Sequence, residues 1–293
     1  MIYRLSVLLL LCSTWGCQNT ELMTQEIYLT HQIPGGAPLV YDAAIVAPDQ
    51  LIHKGVFSPD MSEFYFVVSD PDFEQFDTYV RTKADGRWSA PMPASFNSEY
   101  SDHGLAFSPD GNTVYFSSTR PVPIDRVAET WHLWKSEKRD GQWTEPRYVD
   151  IPNLRQKLVS HPTMSQDGTL YFHSSNLDYS EMNLYTAKLV NDQYDNAVPV
   201  KFEGENAAGK CTPYIAPDGS YLIYAAIEDE LVLYISYKDK DGYWSIGKKL
   251  SDSINQFGQG NPSITPDGRF LFYTTGKYGK TDWTIKWVEM STQ

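Results

Sequence analysis

The sequence predicts an all-β protein, a five-bladed β-propeller with four antiparallel strands in each blade. Three observations support this prediction. A turn built on Pro-Asp-Gly or a close variant occurs five times, a strand rich in aromatic and β-branched residues follows each turn, and no repeat has a helical period. The turn aspartates are separated by 50, 57, 51 and 49 residues, which indicates a propeller or a solenoid. The five turns are Phe57–Met61, Phe107–Gly111, Met164–Gly168, Ile215–Gly219 and Ile264–Gly268.

A second hairpin signal follows the first in four of the five repeats. Asp-Gly between two β runs favours a tight turn, because glycine adopts the positive φ that such turns need. Each repeat therefore contains four strands, a to d, which make one propeller blade. The signal stands at Asp85–Trp88, Asp140–Trp143 and Asp241–Trp244, with a degenerate copy at Asn191–Tyr194.

The fifth repeat ends after its third strand, Asp282–Val288, close to the end of the chain. The missing fourth strand has a counterpart near the N-terminus, where Pro38–Asp42 resembles Pro146–Asp150 of the second repeat. We therefore expect the N-terminal segment to complete the last blade and close the ring, which removes an exposed sheet edge. The propeller domain is predicted to span residues 38–293.

The first residues predict export from the cytoplasm. Arg4 precedes the apolar run Val7–Cys12, which is too short to span a membrane as a stable helix. This arrangement of a charged residue and a short apolar run is typical of a signal peptide, here over residues 1–16.

The segment Ser13–Cys17 resembles a bacterial lipobox, which implies that Cys17 is lipidated. A secreted protein that is cleaved nearby is the alternative. Gln18 follows the cysteine in place of Asp, which favours the outer membrane by analogy with other bacterial lipoproteins. Residues 17–37 are then expected to form a tether, with the lipid anchor as the membrane contact.

Charge and cysteine content narrow the classes of partner. A net charge of −13 without a basic stripe argues against nucleic acid and against direct binding to anionic lipid. Cys211 is the one cysteine outside the N-terminal segment, so the propeller is predicted to fold without a disulfide. We expect a monomer.

The Ser-Pro-Asp-Gly turns with a following Tyr-Phe-Ser-Ser strand resemble the TolB-like Pro-Asp propeller repeats of bacterial envelope proteins. The match is strongest over Asn97–Asp102, Phe107–Gly111 and Tyr115–Pro121, and it extends through all five repeats. The resemblance implies a protein on the periplasmic side of the envelope. Relatives of this kind include partner-binding propellers and, more distantly, glycan-active lyases and hydrolases, so no single activity is implied.

Blade topology predicts where a functional site lies. The a-to-b and c-to-d turns must share one face, so the b-to-c and d-to-a connections share the other. Polar residues at the start of each strand a should lie beside the central channel. His53 and His103 stand seven residues before the turn aspartate, and His161 and Asn261 stand six before it. We expect the three histidines to converge at the channel mouth.

These residues allow several interpretations. In the first, the loop face binds an envelope protein or a glycan without catalysis. In the second, the protein is a polysaccharide or oligosaccharide lyase or a glycoside hydrolase that uses the histidine cluster at the channel mouth, where three imidazoles could hold a divalent metal ion with an open position. In the third, the polar side chains bond channel water or backbone. The ligand-binding candidates are His53, His103, His161, Asn261, Arg120 and Lys210; the catalytic candidates are His103, His161, Tyr100 and Asp102; the metal-ligand candidates are His53, His103 and His161. His132 and His173 are expected to be ordinary strand residues.

Overall fold

The computed structural model describes residues 27–30, 32–41, 50–204, 208–277 and 282–290. The strands in these ranges form five main antiparallel sheets. The innermost strand of each sheet contacts the innermost strands of both neighbouring sheets, in a closed order. The predicted five-bladed propeller is therefore confirmed. Within the same ranges, no helix is long and apolar enough to cross a membrane.

The first two blades follow the a-to-d order, and the outermost strand of each is broken into two short pieces. Both pieces pair with the third strand of their own blade. Blade 1 consists of β2 (Leu51–Phe57), β3 (Glu63–Ser69), β4 (Phe76–Ala84), β5 (Arg87–Trp88) and β6 (Met92–Pro93). Blade 2 consists of β7 (Asp102–Phe107), β8 (Thr113–Ser118), β9 (His132–Arg139), β10 (Gln142–Trp143) and β11 (Arg147–Tyr148).

Blades 3 and 4 follow the same order, and a 3₁₀ turn at Pro152–Leu154 precedes blade 3. Blade 3 consists of β12 (Leu158–Met164), β13 (Leu170–Ser175), β14 (Asn183–Ala187) and β17 (Val198–Pro199), with a small hairpin of β15 (Leu189–Val190) and β16 (Gln193–Tyr194). Blade 4 consists of β18 (Lys210–Ile215), β19 (Tyr221–Ile227), β20 (Leu231–Tyr237) and β21 (Lys248–Lys249).

The last blade contains both ends of the propeller. It consists of β22 (Gly258–Ile264), β23 (Phe270–Gly276), β24 (Thr284–Glu289) and β1 (Leu39–Val40). Leu39 lies opposite Trp287, and the amide of Tyr41 donates to the carbonyl of Ile285 at 2.9 Å. Tyr41 is fully buried against Phe272 and Trp287. The prediction that an N-terminal strand completes this blade is confirmed.

Part of the expected tether also packs on the propeller. Tyr28 and Leu29 are buried in a cluster with Phe57, Phe270 and Trp287. The Tyr28 hydroxyl hydrogen-bonds the carboxylate of Asp267, the turn aspartate of blade 5. The packed region therefore begins before residue 38, because these apolar side chains cover the space between blades 5 and 1. The predicted signal peptide and Cys17 lie outside the described residues.

In four of the five repeated turns a serine or threonine hydroxyl donates to the turn aspartate. In blade 2 the Ser108 hydroxyl donates to Asp110 at 2.6 Å and accepts from the amide of Thr113 at 2.9 Å. Gly111 follows with a φ of 72°, a conformation that costs glycine little. These contacts are local in sequence, which explains why the turns could be recognised from the sequence.

Candidate functional site

Every innermost strand contains a β-bulge at the same place. The register shifts lie between His53 and Gly55, His103 and Ala106, Ser160 and Thr163, Cys211 and Tyr214, and Gly260 and Ser263. One residue in each bulge has a positive φ: Lys54 (26°), Gly104 (68°), His161 (56°), Thr212 (44°) and Asn261 (52°). All five stand six residues before the turn aspartate. We call them the bulge ring.

The bulge ring explains the one-residue offset between His161 and the other two histidines. His161 belongs to the ring, whereas His53 and His103 stand one residue before it. A bulge inserts one extra residue into a strand and changes the direction of the side chains that follow. The three histidines therefore do not occupy equivalent positions in their blades.

Neighbouring blades hold three of the bulges in place. A positive φ costs a residue other than glycine about 1–2 kcal/mol, so such a conformation needs support from its surroundings. In each case a side chain on the second strand of the preceding blade accepts the amide hydrogen of the bulge residue. The pairs are Lys54 N to Thr274 Oγ1 (3.0 Å), His161 N to Ser117 Oγ (2.8 Å) and Thr212 N to His173 Nδ1 (3.2 Å).

The two ends of the channel have different linings. A pocket of about 690 Å³ opens on the face of the b-to-c loops, with Phe73, Phe76 and Trp283 among its lining residues. A second pocket of about 390 Å³ lies where the a-to-b turns meet. All five of those turns line it, through Pro59, Pro109, Gln166, Pro217 and Pro266. The predicted division of turns and loops between the two faces is therefore correct.

Histidines of blades 2 and 3 form a cluster beside the larger pocket. The ring centroids of His103 and His161 are 4.4 Å apart, and His161 stacks on His173 at 4.9 Å. Trp131 packs edge-on against His103 at 4.0 Å. His173 is a strand residue, as expected, but it also belongs to this cluster. His132 lies at the start of β9, where its ring bonds the carbonyl of Ala128.

His53 lies apart from the cluster. Its Nε2 is 2.9 Å from the hydroxyl of Ser69, and the Phe76 ring lies 5.5 Å from His53 and 5.3 Å from His103. The Phe76 ring therefore contacts both histidines. Across the described parts of the chain, no three His, Cys, Asp or Glu side chains are arranged to hold a metal ion. In this structure His53, His103 and His161 are thus not grouped as one set of metal ligands.

Burial keeps these histidines uncharged at neutral pH. Desolvation lowers the pKa of His53 to about 4 and that of His173 to about 3. It also lowers the pKa of His103 and His161 well below 6.5, and nearby His173 and Lys54 add to the effect. Neutral imidazoles offer one donor and one acceptor each, and His173 uses its Nδ1 as an acceptor.

Lys54 is the cation of the bulge ring. Its side chain is 5% exposed, and burial lowers its pKa from 10.5 to about 8. It lines the pockets at both ends of the channel. Two other members of the ring, Thr212 and Asn261, each have a buried side-chain oxygen that lacks a hydrogen-bond partner among the described residues. The ring thus presents polar atoms whose bonding capacity is unused.

Asp102 and Arg120 are each other's partners rather than members of the pocket. Asp102 is fully buried, and its Oδ1 lies 2.6 Å from Nη2 of Arg120. The amide and hydroxyl of Ser98 donate to its Oδ2. The Arg120 guanidinium lies over the rings of Phe116 and Trp134. These contacts give both residues a role in the stability of blade 2.

The last two candidates also lie outside the pocket. Tyr100 is 37% exposed and lines a separate hollow beside Arg120 and Glu129. Lys210 is buried at the start of β18, where its Nζ donates to the carbonyl of Ala208 and lies 5.5 Å from the Phe202 ring centroid. Of the sequence-predicted site residues, His53, His103, His161 and Asn261 line the pocket. The pocket is also lined by Lys54, Phe73 and Trp283, which are not among the predicted site residues.

Comparison with known proteins establishes the fold. No protein-family model matches this sequence, and no curated protein is significantly similar to it. A putative TolB from Agrobacterium tumefaciens is 14% identical with a TM-score of 0.53, and the match covers 85% of this chain and 80% of that one. TolB from Acinetobacter baumannii is 13% identical with a TM-score of 0.50, over 83% of this chain and 55% of that longer chain.

A propeller enzyme is similar to the same degree. An α-L-arabinofuranosidase from Podospora anserina, solved in complex with cellotriose, is 12% identical with a TM-score of 0.53. The match covers 87% of this chain and 94% of that one. The chain is thus a β-propeller whose structural neighbours include TolB-like proteins and a glycoside hydrolase. At such low identities these matches establish the fold alone.

Proposed function

We propose that the protein is an exported, lipid-anchored propeller that binds a glycan in the pocket on its loop face. The observation that carries the proposal is the aromatic rim of that pocket. The rings of Phe73, Phe76 and Trp283 lie 5.8, 5.5 and 6.2 Å from the His53 ring. Aromatic faces pack against apolar surfaces of a ligand, and a few polar groups beneath them fix its orientation. A sugar ring presents both kinds of surface.

Phe73 supports this proposal through its backbone. It lies on the loop between β3 and β4 with a φ of 60°, a strained value for a bulky residue. Such strain persists when surrounding structure or function favours it. In Phe73 it holds an aromatic ring at the entrance of the pocket.

A hydrolytic role is less well supported than binding. Glycoside hydrolases use a pair of carboxylates about the scissile bond. Asp72 is the one carboxylate among the described residues that line the pocket. Asp102, the other candidate acid, is engaged by Arg120.

A lyase role would need a strong base near the ligand. A general base is most effective when its pKa lies near the working pH, and the pKa values of His103 and His161 are well below 6.5. Tyr100, which could serve as an acid or base, faces a different hollow. Lys54, which also lines the pocket, has a pKa of about 8, so at pH 7 most of it carries a proton and it cannot act as a base. Binding without catalysis therefore fits the pocket best.

Replacing the aromatic rim is expected to weaken glycan binding. Phe73→Ala and Trp283→Ala should each raise the Kd about tenfold, because truncating an aromatic anchor costs on the order of 1–2 kcal/mol. Binding is measured by calorimetry, with a ligand chosen from an array of envelope and plant oligosaccharides.

Tyr179→Ala is the matched control for Phe73→Ala. Tyr179 is an exposed aromatic residue on another b-to-c loop, with a φ of 63°, and it does not line the pocket. The Tyr179→Ala protein should bind the glycan with the same Kd as the wild type. An array on which the wild-type protein binds no oligosaccharide would contradict the proposal and direct the search to envelope proteins.

The anchor is tested separately at Cys17. Cys17→Ser should move the protein from the membrane fraction to the soluble fraction of the cell envelope, because the lipid-bearing thiol is gone. Mass spectrometry of the N-terminal peptide would identify the attached lipid. A Cys17→Ser protein that stays with the membrane would refute lipid anchoring at this residue.

A further inference from the structure

A buried cation lies at the floor of the pocket without a counterion. Lys54 is 5% exposed, and its ammonium group forms no ion pair or hydrogen bond with any residue in the described ranges. Its amide, by contrast, is fixed by Thr274. The backbone at this position is therefore held in place while the charge is left free to bind something else.

The groups around Lys54 supply no negative charge. His103 and His161 are neutral, and Asn261 contributes an amide. Asp72, the carboxylate that lines the same pocket, is exposed on the rim loop and forms no salt bridge with Lys54 within the described residues. The floor is thus cationic in a chain whose net charge is −13.

An unpaired buried charge carries a large desolvation cost and is rarely retained without a partner. A ligand that brings an anion removes this cost on binding, and buried groups of this kind cluster at functional sites. Asn261 also lines this pocket, and its unpartnered amide oxygen can accept a hydrogen bond from a hydroxyl group of such a ligand.

We propose that the pocket binds its ligand through an anionic group, a carboxylate or a comparable oxyanion, which pairs with the ammonium of Lys54. The inference rests on the proposed glycan binding and makes it specific, since it assigns the ligand to the acidic sugars. The sugar ring lies between the aromatic rim and the bulge ring, and the anion points into the channel. A free anion would use the same chemistry, and the experiment separates the two sources.

The test compares three probes by calorimetry on the full chain: sodium glucuronate, glucose and sodium acetate. Wild-type protein is expected to bind glucuronate at least tenfold more tightly than glucose, with acetate as a weaker competitor for the same site. Lys54→Met should bind glucuronate no more tightly than glucose, because the variant keeps the apolar stem and loses the charge.

Lys210→Met is the matched control. Lys210 is buried to a similar degree but donates to a backbone carbonyl and lies outside the pocket. This variant should keep the preference for glucuronate and melt at a lower temperature. Lys54→Met, which removes a charge without a partner, should melt at the same temperature as the wild type or higher.

Each outcome decides the question. Equal affinity of wild type and Lys54→Met for glucuronate, or wild-type protein that binds neither glucuronate nor acetate, would overturn the inference. A loss of melting temperature in Lys54→Met as large as in Lys210→Met would also overturn it. Equal binding of glucose and glucuronate would support the proposed glycan binding and overturn the anion site. Acetate binding that depends on Lys54, without sugar binding, would support the anion site and refute glycan binding.

Discussion

Lowering the pH from 6.5 to 4 is expected to unfold the propeller. Four histidines beside the channel, His53, His103, His161 and His173, have folded-state pKa values below 6.5. In the unfolded chain the same side chains titrate near 6.5. Between these values the unfolded state binds more protons than the folded state, so stability falls as the pH falls.

The expected effect is large compared with the stability of a domain. Each of His53 and His173 should reduce the free energy of unfolding by about 3 kcal/mol at pH 4, since one pKa unit is worth about 1.4 kcal/mol. Domains are stable by about 5–15 kcal/mol in total. His103 and His161 add to the loss, so we expect a midpoint of acid unfolding near pH 5, measured by urea titration at each pH.

Two substitutions that copy residues of blade 5 would isolate the contribution of the histidines to acid unfolding. His161→Asn copies Asn261 at the equivalent position of the bulge ring, and His173→Thr copies Thr274, which accepts the amide of a bulge residue in the same way. In the double variant, the number of protons taken up on unfolding between pH 6.5 and pH 4 should fall by about two, which lowers the slope of the unfolding free energy against pH. An unchanged slope would mean that these imidazoles take up protons in the folded protein as readily as in the unfolded chain.

Removing Arg120 is expected to be the most destabilising single substitution among those considered. Arg120→Met leaves the carboxylate of Asp102 fully buried without its cationic partner, which should cost about 3–5 kcal/mol. Adding Asp102→Asn should recover part of the loss, because the uncompensated charge is gone and the amide oxygen still accepts from Ser98. Urea denaturation measures both variants.

Arg155→Met is the control for this prediction. Arg155 pairs with Asp150 on the surface, where ion pairs contribute little, so the variant should have near wild-type stability. Arg120→Met should bind the glycan with unchanged affinity when measured well below its denaturation midpoint. Loss of binding without loss of stability would instead place Arg120 in the ligand site.

The parts of this molecule that sequence reasoning predicted correctly depend on local contacts. The turn that joins Ser108 to Asp110 and Gly111 is built from residues within a few positions of one another, so its residue types identify it. Its five copies fix the number of blades. The strand at Leu39–Val40 was predicted from the same pattern, because the fifth repeat lacked its fourth strand.

The site was predicted only in part because the bulges interrupt the alternation of strand residues. A strand with period two would place His53 and His103 on the channel, and the bulge adds Lys54 to the same lining. Alignment of all repeats six positions before the turn aspartate would have found Lys54 and Thr212. His173 joins the cluster through a hydrogen bond between blades, which no pattern within one repeat could indicate.

The pairing of β1 with β24 also constrains how the protein folds. Leu39 and Trp287 come together across almost the whole length of the chain, so the ring closes through a contact of high sequence separation. Such contacts form late, because the entropy of closing a long loop is lost before any contact repays it. Under the proposed export, the N-terminal strand would be the first part of the propeller to cross the membrane. It would then lack its partner until the last blade arrives, so translocation of β24 would be the step that completes the fold.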